Sequence, residues 1–178
     1  LSYGVVSALN SGDPVPFTER FRLVGPNNLR GYSFRQVGRR DFSDELYKYL
    51  TTQAGLSPGQ AEQEAGIPLG GRQQAFYMAE LEFPLAKEAG MRGVVFYDIG
   101  IAEDSLRGGD VDYVIESSDP TANSRTIRRP ALRSDFGFGI RWFSPMGPLR
   151  FEFGFPLDRD TFAGDRSNNF QFAVGSPF

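Results

Sequence analysis

The chain contains no cysteine and no histidine. The first absence excludes a disulfide framework and thiolate chemistry. The second removes the commonest general base and the commonest metal ligand. No apolar run approaches the roughly 18 residues that mark a membrane-crossing helix. Positive charge is not in excess either: 19 Lys and Arg stand against 22 Asp and Glu, for a net charge of −3. The electrostatic footprint of a nucleic-acid binder is therefore missing, and no nucleic-acid partner is expected. An initiator methionine is also lacking. The chain starts at Leu1, with no basic stretch and cleavable apolar segment before it. Because "LSYGVVSALN" already reads as a strand, a piece of a longer protein is expected.

Phenylalanine and glycine are abundant, with 17 Phe and 21 Gly in 178 residues. The phenylalanines alternate. In Asn169–Phe178, Phe170, Phe172, Val174 and Phe178 share one parity, and Asn169, Gln171, Ala173 and Gly175 the other. Just upstream, Leu149, Phe151, Phe153, Phe155 and Leu157 alternate with Arg150, Glu152, Gly154 and Pro156. A strand sends alternate residues to opposite faces, so one face must meet apolar surroundings and the other water. A membrane β-barrel supplies both, and its interleaved pattern hides from mean hydropathy, here −0.34.

Six strands are predicted, at about 1–9, 73–83, 91–101, 131–143, 148–157 and 169–178. Most are near the ten or so residues that a tilted strand needs to cross a bilayer. On the second, Ala75, Tyr77, Ala79, Leu81 and Phe83 point outward, while Gln74, Glu80 and Glu82 point inward. On the third, Arg92, Val94, Phe96 and Asp98 oppose Gly93, Val95, Tyr97, Ile99 and Ile101. On the fourth, Leu132, Phe136, Phe138, Ile140 and Trp142 oppose Arg133, Asp135, Gly137, Gly139 and Arg141. The connections alternate between long (10–72, 103–130, 158–168) and short ("PLAKEAG", "SPMGP"). Bacterial barrels pair long extracellular loops with short periplasmic turns, which would leave the carboxy terminus periplasmic. Ser57 and Gln60 stand at capping-box spacing, so a short helix is expected at about 58–65. A soluble sandwich explains the alternation equally well. The aromatic load on one face, with glycine and charge on the other, favours the barrel.

"FRLVGPNNLRGYSF" (21–34) interrupts the first long loop. Arg30 offers a planar fork suited to carboxylates, and Gly31 lets the backbone approach a wall. If the loop folds into the lumen, Arg30 can bridge two inward acids, Glu82 and Asp98. The alternative is a solvent-facing arginine beside acids that merely hydrate.

Leu29, Arg30, Gly31 and Tyr32 ("LRGY") resemble the Arg-Gly-Phe/Tyr loop signature of the BamA-type outer-membrane assembly family (bacterial surface antigen superfamily). "MAELEF" (78–83), "VVFYDIG" (94–100), "GIRWFSPMGPLRFEFGFPL" (139–157) and "FQFAVGSPF" (170–178) resemble that family's last strands in the same order. The resemblance covers nearly the whole chain. It implies an all-β, antiparallel transmembrane barrel of which residues 1–178 are the C-terminal part, equivalent to strands 11–16 of sixteen, without the periplasmic POTRA domains. It also implies that segment 10–72 is an inward-folding extracellular loop whose Arg30 meets Glu82 and Asp98. Gly25-Pro26 and "VGRRD" (37–41) depart from the family pattern and leave the local loop path open.

The final strand must close against a strand outside this chain. Gly175 resembles a family glycine at which that strand kinks. Gly175 and Pro177 weaken strand pairing, so a frayed seam is expected at Phe170, Phe172, Gly175, Pro177 and Phe178. The alternative is that Gly and Pro simply end a strand. A weakened seam exposes backbone groups that can template an incoming strand. The resemblance thus implies folding and insertion of β-barrel proteins into the bacterial outer membrane. Implied partners are outer-membrane lipids, unfolded outer-membrane protein clients and accessory assembly lipoproteins. The terminal aromatic also resembles the sorting signal of barrel substrates. A polypeptide-secretion transporter and a passive porin-like barrel are the competing functions. No enzyme, cofactor or metal is expected: Glu82, Asp98 and Glu152 could form an acid pair, but lumen acids facing arginines are more often structural. Six strands fall short of the eight from which known barrels start, so either the missing strands belong to a part outside this chain, or several copies associate, or the piece folds in another way in isolation.

Overall fold

The computed structural model describes residues 1–178 apart from 11–13, 24, 26, 34–36, 107–109, 116–124, 161–164 and 176–178. For 110–115 and 125–130 it describes the backbone alone. In chain order the elements are β1 (Ser2–Val5), a 3-10 turn (Phe17–Glu19), β2 (Arg40–Phe42), α1 (Asp44–Thr52), α2 (Pro58–Ala65), β3 (Gly66–Pro68), β4 (Gln73–Ala86), β5 (Met91–Glu103), β6 (Asp110–Ile115), β7 (Arg125–Pro130), β8 (Leu132–Ser144), β9 (Gly147–Pro156) and β10 (Asn169–Val174). Six of them form one antiparallel sheet in the order β1-β4-β5-β8-β9-β10. Among the described residues the sheet stays open, with β1 and β10 at its edges.

The predicted strands are the strands of this sheet, with altered ends. The first is shorter than expected, Ser2–Val5 rather than 1–9. Its pairing ends with the amide of Val6 donating to the carbonyl of Arg72, where β4 also begins. The last ends at Val174, because Gly175 turns into the left-handed region at φ 75° while its amide donates to Pro148. Pro177 and Phe178 lie outside the described residues. β4, β5 and β8 run to 14, 13 and 13 residues, longer than the roughly ten that a tilted strand needs to cross.

The alternation decides what each face meets. Tyr77, Leu81, Val95, Tyr97, Phe136, Phe138, Ile140, Phe153, Phe170 and Phe172 all lie exposed on one face, Phe138 at 52% and Phe172 at 54%. Their rings do not converge on a dry interior. They tile across neighbouring strands, with Phe138 and Phe153 centroids 5.8 Å apart, Phe153 and Phe170 4.8 Å, and Phe151 and Phe172 5.0 Å. Such cross-strand aromatic pairs strengthen a sheet. The opposite, inner face is glycine, charge and a covering loop. Met78, Asp98, Asp135 and Pro156 stand in one cross-strand row. Glu80, Phe96, Gly137, Gly154 and Asn169 form the next, and Glu82, Val94, Gly139, Glu152 and Gln171 the one after.

The first long connection is more structured than its polar composition suggested. β2 and β3 pair antiparallel, and both helices lie between them. Helix α2 spans Pro58–Ala65, with the Gln60 side chain accepting from the Ser57 amide at 3.3 Å, as the capping-box spacing implied. Helix α1 was not foreseen. Its signal was present: Ser43 as N-cap, accepting from the amide of Leu46, followed by Asp44 and Glu45 where the helix dipole favours negative charge. The second long connection holds the β6–β7 hairpin. Leu23, Leu29, Tyr32, Val37 and Ala102 make a small dry core where the loop meets the sheet, with Phe76 packed against it.

Candidate functional site: an arginine-locked loop on the inner face

The loop reaches the sheet because the sheet leaves room for it. Gly137, Gly139 and Gly154 form a hollow across β8 and β9. The ring of Phe96 fills the part over Gly137, where an added Cβ would stand 2.2 Å from it. Gly154 holds the backbone of Arg30 and Gly31 instead. Here glycine is required for space.

Arg30 lies over this floor, its guanidinium carbon 3.6 Å from the centroid of the Phe96 ring, a cation–π contact. Its Nε donates to Asp98 Oδ2 at 2.7 Å and its Nη2 to Asp98 Oδ1 at 2.8 Å, a two-pronged fork. Its Nη1 donates to Glu80 at 2.5 Å and reaches Glu152 at 3.5 Å. The Arg30 side chain is 1% exposed, and those of Asp98 and Glu152 are 0%. Burial works against the charge on Arg30. The hydrogen bond and charge of Asp98, with the hydrogen bond to Glu80, outweigh it and hold the guanidinium above its ordinary pKa.

Of the two acids expected beside Arg30, the structure brings Asp98 and not Glu82. Glu82 sits two residues closer to the short β4–β5 turn, opposite Val94. There it accepts from Arg92 at 3.1 Å and from Arg141. The β4 acid on Arg30 is Glu80, which stands beside Phe96 in the register. Parity puts Glu80 and Glu82 on the same face, but only the strand register decides which lies under the loop. Arg92, Arg141 and Arg150 are cross-strand neighbours in one row, which like charges alone would disfavour. Glu80, Glu82 and Glu152 offset them, and Arg141 contacts all three.

The other motif residues are held as closely. Tyr32 is buried, and its hydroxyl donates to the carbonyls of Ser134 at 3.0 Å and Asp158 at 3.3 Å. Burial pushes its phenol above the ordinary value, against the pull of nearby Arg133. Leu29 is fully buried in the dry core. A second ion cluster lies beside the first. Arg133 reaches Asp160 at 3.2 Å and Asp165 at 2.9 Å, and its guanidinium lies 5.6 Å from the Tyr32 ring. The last strand contributes as well. Asn169 Nδ2 donates to the carbonyls of Arg30 at 2.9 Å and Tyr32 at 3.0 Å, and Gln171 Nε2 donates to that of Arg30 at 2.9 Å. Sequence reading gave these two residues no role. Their inward parity was the available signal, but two amides on a strand carry no mark of what they face.

The family description that fits the whole chain, residues 1–178, is the Omp85 superfamily domain. The chain belongs to the Omp85 superfamily. Among curated relatives, this Omp85 chain is 30% identical over 175 residues to the outer membrane protein assembly factor BamA of Nitratidesulfovibrio vulgaris, covering 98% of this chain and 17% of the relative. It is 27% identical to the protein of the same name from Neisseria meningitidis serogroup B, covering 98% and 21%. The chain thus spans about a fifth of the length of these relatives. It is also similar to the crystal structure of BamA from Haemophilus ducreyi lacking POTRA domains 1–3. There the TM-score is 0.56 at 20% identity, over 92% of this chain and 28% of that one. That likeness is one of fold: the open sheet of this Omp85 chain is a segment of antiparallel barrel wall, with the Arg30 loop packed on its inner face.

Proposed function

We propose that this chain is the C-terminal barrel segment of an outer-membrane protein that folds and inserts other β-barrels. The observation that carries the reading is the LRGY loop locked on the inner wall of an Omp85 chain, through the Arg30–Asp98 fork. The names of the curated relatives support it, since each is an outer membrane protein assembly factor. In this reading the phenylalanine face meets outer-membrane lipid, segment 10–72 is extracellular, and the carboxy terminus is periplasmic. Edge strand β10 forms the seam. It has six residues and, among the described residues, pairs with β9 alone. Gly175 bends it at its end. An edge of this kind offers backbone donors and acceptors to an incoming strand. The locked loop braces the inner wall beneath that edge. Unfolded outer-membrane proteins are the clients, and accessory lipoproteins belong to the same assembly.

The test uses the full-length parent protein in proteoliposomes, supplied with a urea-unfolded barrel client. The folded client fraction is read as heat-modifiable gel mobility. Faster client folding than in empty liposomes is the expected result. Client folding at the rate of empty liposomes would overturn the proposal.

A further inference from the structure

Arg30 uses all of its polar groups. Its amide donates to Asp98 at 3.3 Å, its guanidinium serves Asp98, Glu80 and Glu152, and its carbonyl accepts from both Asn169 and Gln171. The acids lie on β4, β5 and β9, and the amides on β10. One residue therefore ties the middle of the sheet to its last strand. The geometry is specific to the motif's main chain. Asn169 stands opposite Gly154 in the register, at the position where Gly31 lies on the sheet. A second bond from Asn169 reaches Tyr32, so the two amides bracket the Arg-Gly-Tyr turn from the seam side.

We propose that Asn169 and Gln171 are positioning residues that clamp the motif's main chain to the last strand, so that seating of the loop and release of β10 are one linked equilibrium. This rests on the reading of β10 as the seam. Three donor–acceptor contacts to the motif add to β10's pairing with β9. Peeling β10 away must break them. Unseating Arg30 withdraws the carbonyls they need. Linkage of this kind is reciprocal: whatever loosens the loop loosens the strand by the same factor, and the converse holds.

The test is amide hydrogen exchange on the full-length parent protein in lipid nanodiscs, read on peptides covering 29–32 and 169–174, with β4–β5 peptides as reference. Gln171→Met and Asn169→Leu remove the donors and keep side-chain bulk. Arg30→Lys perturbs the loop from the other side. The double amide variant is expected to raise exchange in both peptides by roughly tenfold, the scale of one or two lost hydrogen bonds, with the reference unchanged. Arg30→Lys is expected to raise exchange in 169–174 comparably, and the combined variant to show less than the product of the two effects. Unchanged exchange in 169–174 for Arg30→Lys, or effects that simply multiply, would overturn the clamp. If the double variant does not fold, Gln171→Met alone carries the same comparison at a smaller factor. Client folding measured in parallel separates the two claims. Linked exchange without client folding sinks only the assembly function. Client folding without linked exchange sinks only the clamp.

Discussion

The backbone of Gly31 lies directly on Gly154: a methyl group on Gly154 would stand 2.6 Å from both the nitrogen and the Cα of Gly31. Neither partner is a flexible side-chain end, so the clash cannot be relieved by a rotamer change. Gly154→Ala is expected to lift the motif from the wall and to cost about 1–3 kcal/mol, the range for overpacking. Denaturant unfolding of the membrane-inserted protein, together with protease accessibility of the loop, measures it. Gly59→Ala is the control. Gly59 lies in α2 with nothing near its added Cβ, so that change should be neutral or stabilising by up to about 1 kcal/mol. Equal behaviour of the two variants would refute the space argument.

The Arg30–Asp98 fork makes a sharper prediction, because both groups are buried. Removing one partner leaves an uncompensated charge, at a cost of about 3–5 kcal/mol. Arg30→Met should destabilise on that scale, and Asp98→Asn by less, because Glu80 and Glu152 still face the guanidinium. The double variant should cost clearly less than their sum. A double-mutant cycle on unfolding free energies reads the difference. Additive costs would show that the fork has no energetic content.

Tyr32 links the loop to the sheet by a hydroxyl. Tyr32→Phe removes its donor from two carbonyls and should cost about 0.5–1.5 kcal/mol in the same unfolding measurement. The pH dependence follows from the raised phenol. An unfolded tyrosine ionises near its ordinary value of 10.0, while the buried one holds its proton further up. The unfolded state therefore binds fewer protons above that pH, and stability falls as pH rises through it. Below it Tyr32 has no effect on the pH slope. In Tyr32→Phe the alkaline decline attributable to this residue should disappear. An identical decline in the variant would assign it to another group.

Arg133 should behave as a second lock. It holds Asp160 and Asp165, and the side chain of Asp165 is fully buried. Arg133→Met removes this cation from between the two acids, and a loss of up to about 3 kcal/mol is expected. Asp160→Asn in the Arg133→Met background should recover part of it. No recovery would argue that Arg133 acts through packing on Tyr32 alone.

The outer face makes the last prediction. Phe138 and Phe153 are exposed and tile against each other. Facing lipid, Phe153→Arg should cost about 2–4 kcal/mol if it lies near mid-bilayer, and less towards an interface. Folding yield into vesicles checks it. A variant that folds as well as the parent in lipid would mean that the face is wet.

For the six strands of the main sheet, identity and facing were legible in the sequence, because a period of two is a local property of the backbone; β2, β3, β6 and β7 lay in segments that read as loops. Phe136, Phe138, Phe153 and Phe170 could be placed outside, and Asp98 and Arg141 inside, from parity alone. The Arg30–Asp98 pairing was one of two readings that the residues left open, and the family resemblance favoured it over a solvent-facing arginine. Parity does not say how far along a strand a residue meets its neighbour. That depends on register, which is set by turns and by every strand between. So Glu80 rather than Glu82 lies under Arg30, and Glu152 on β9 joins them. Helix α1 carried its start signal in Ser43, Asp44 and Glu45, and polar composition concealed it. The clamp by Asn169 and Gln171 was not legible at all. It joins residues about 140 positions apart, 137, 139 and 141 for the three bonds. Only the folded-back loop and the stacking order of the strands bring their amides to the carbonyls of Arg30 and Tyr32.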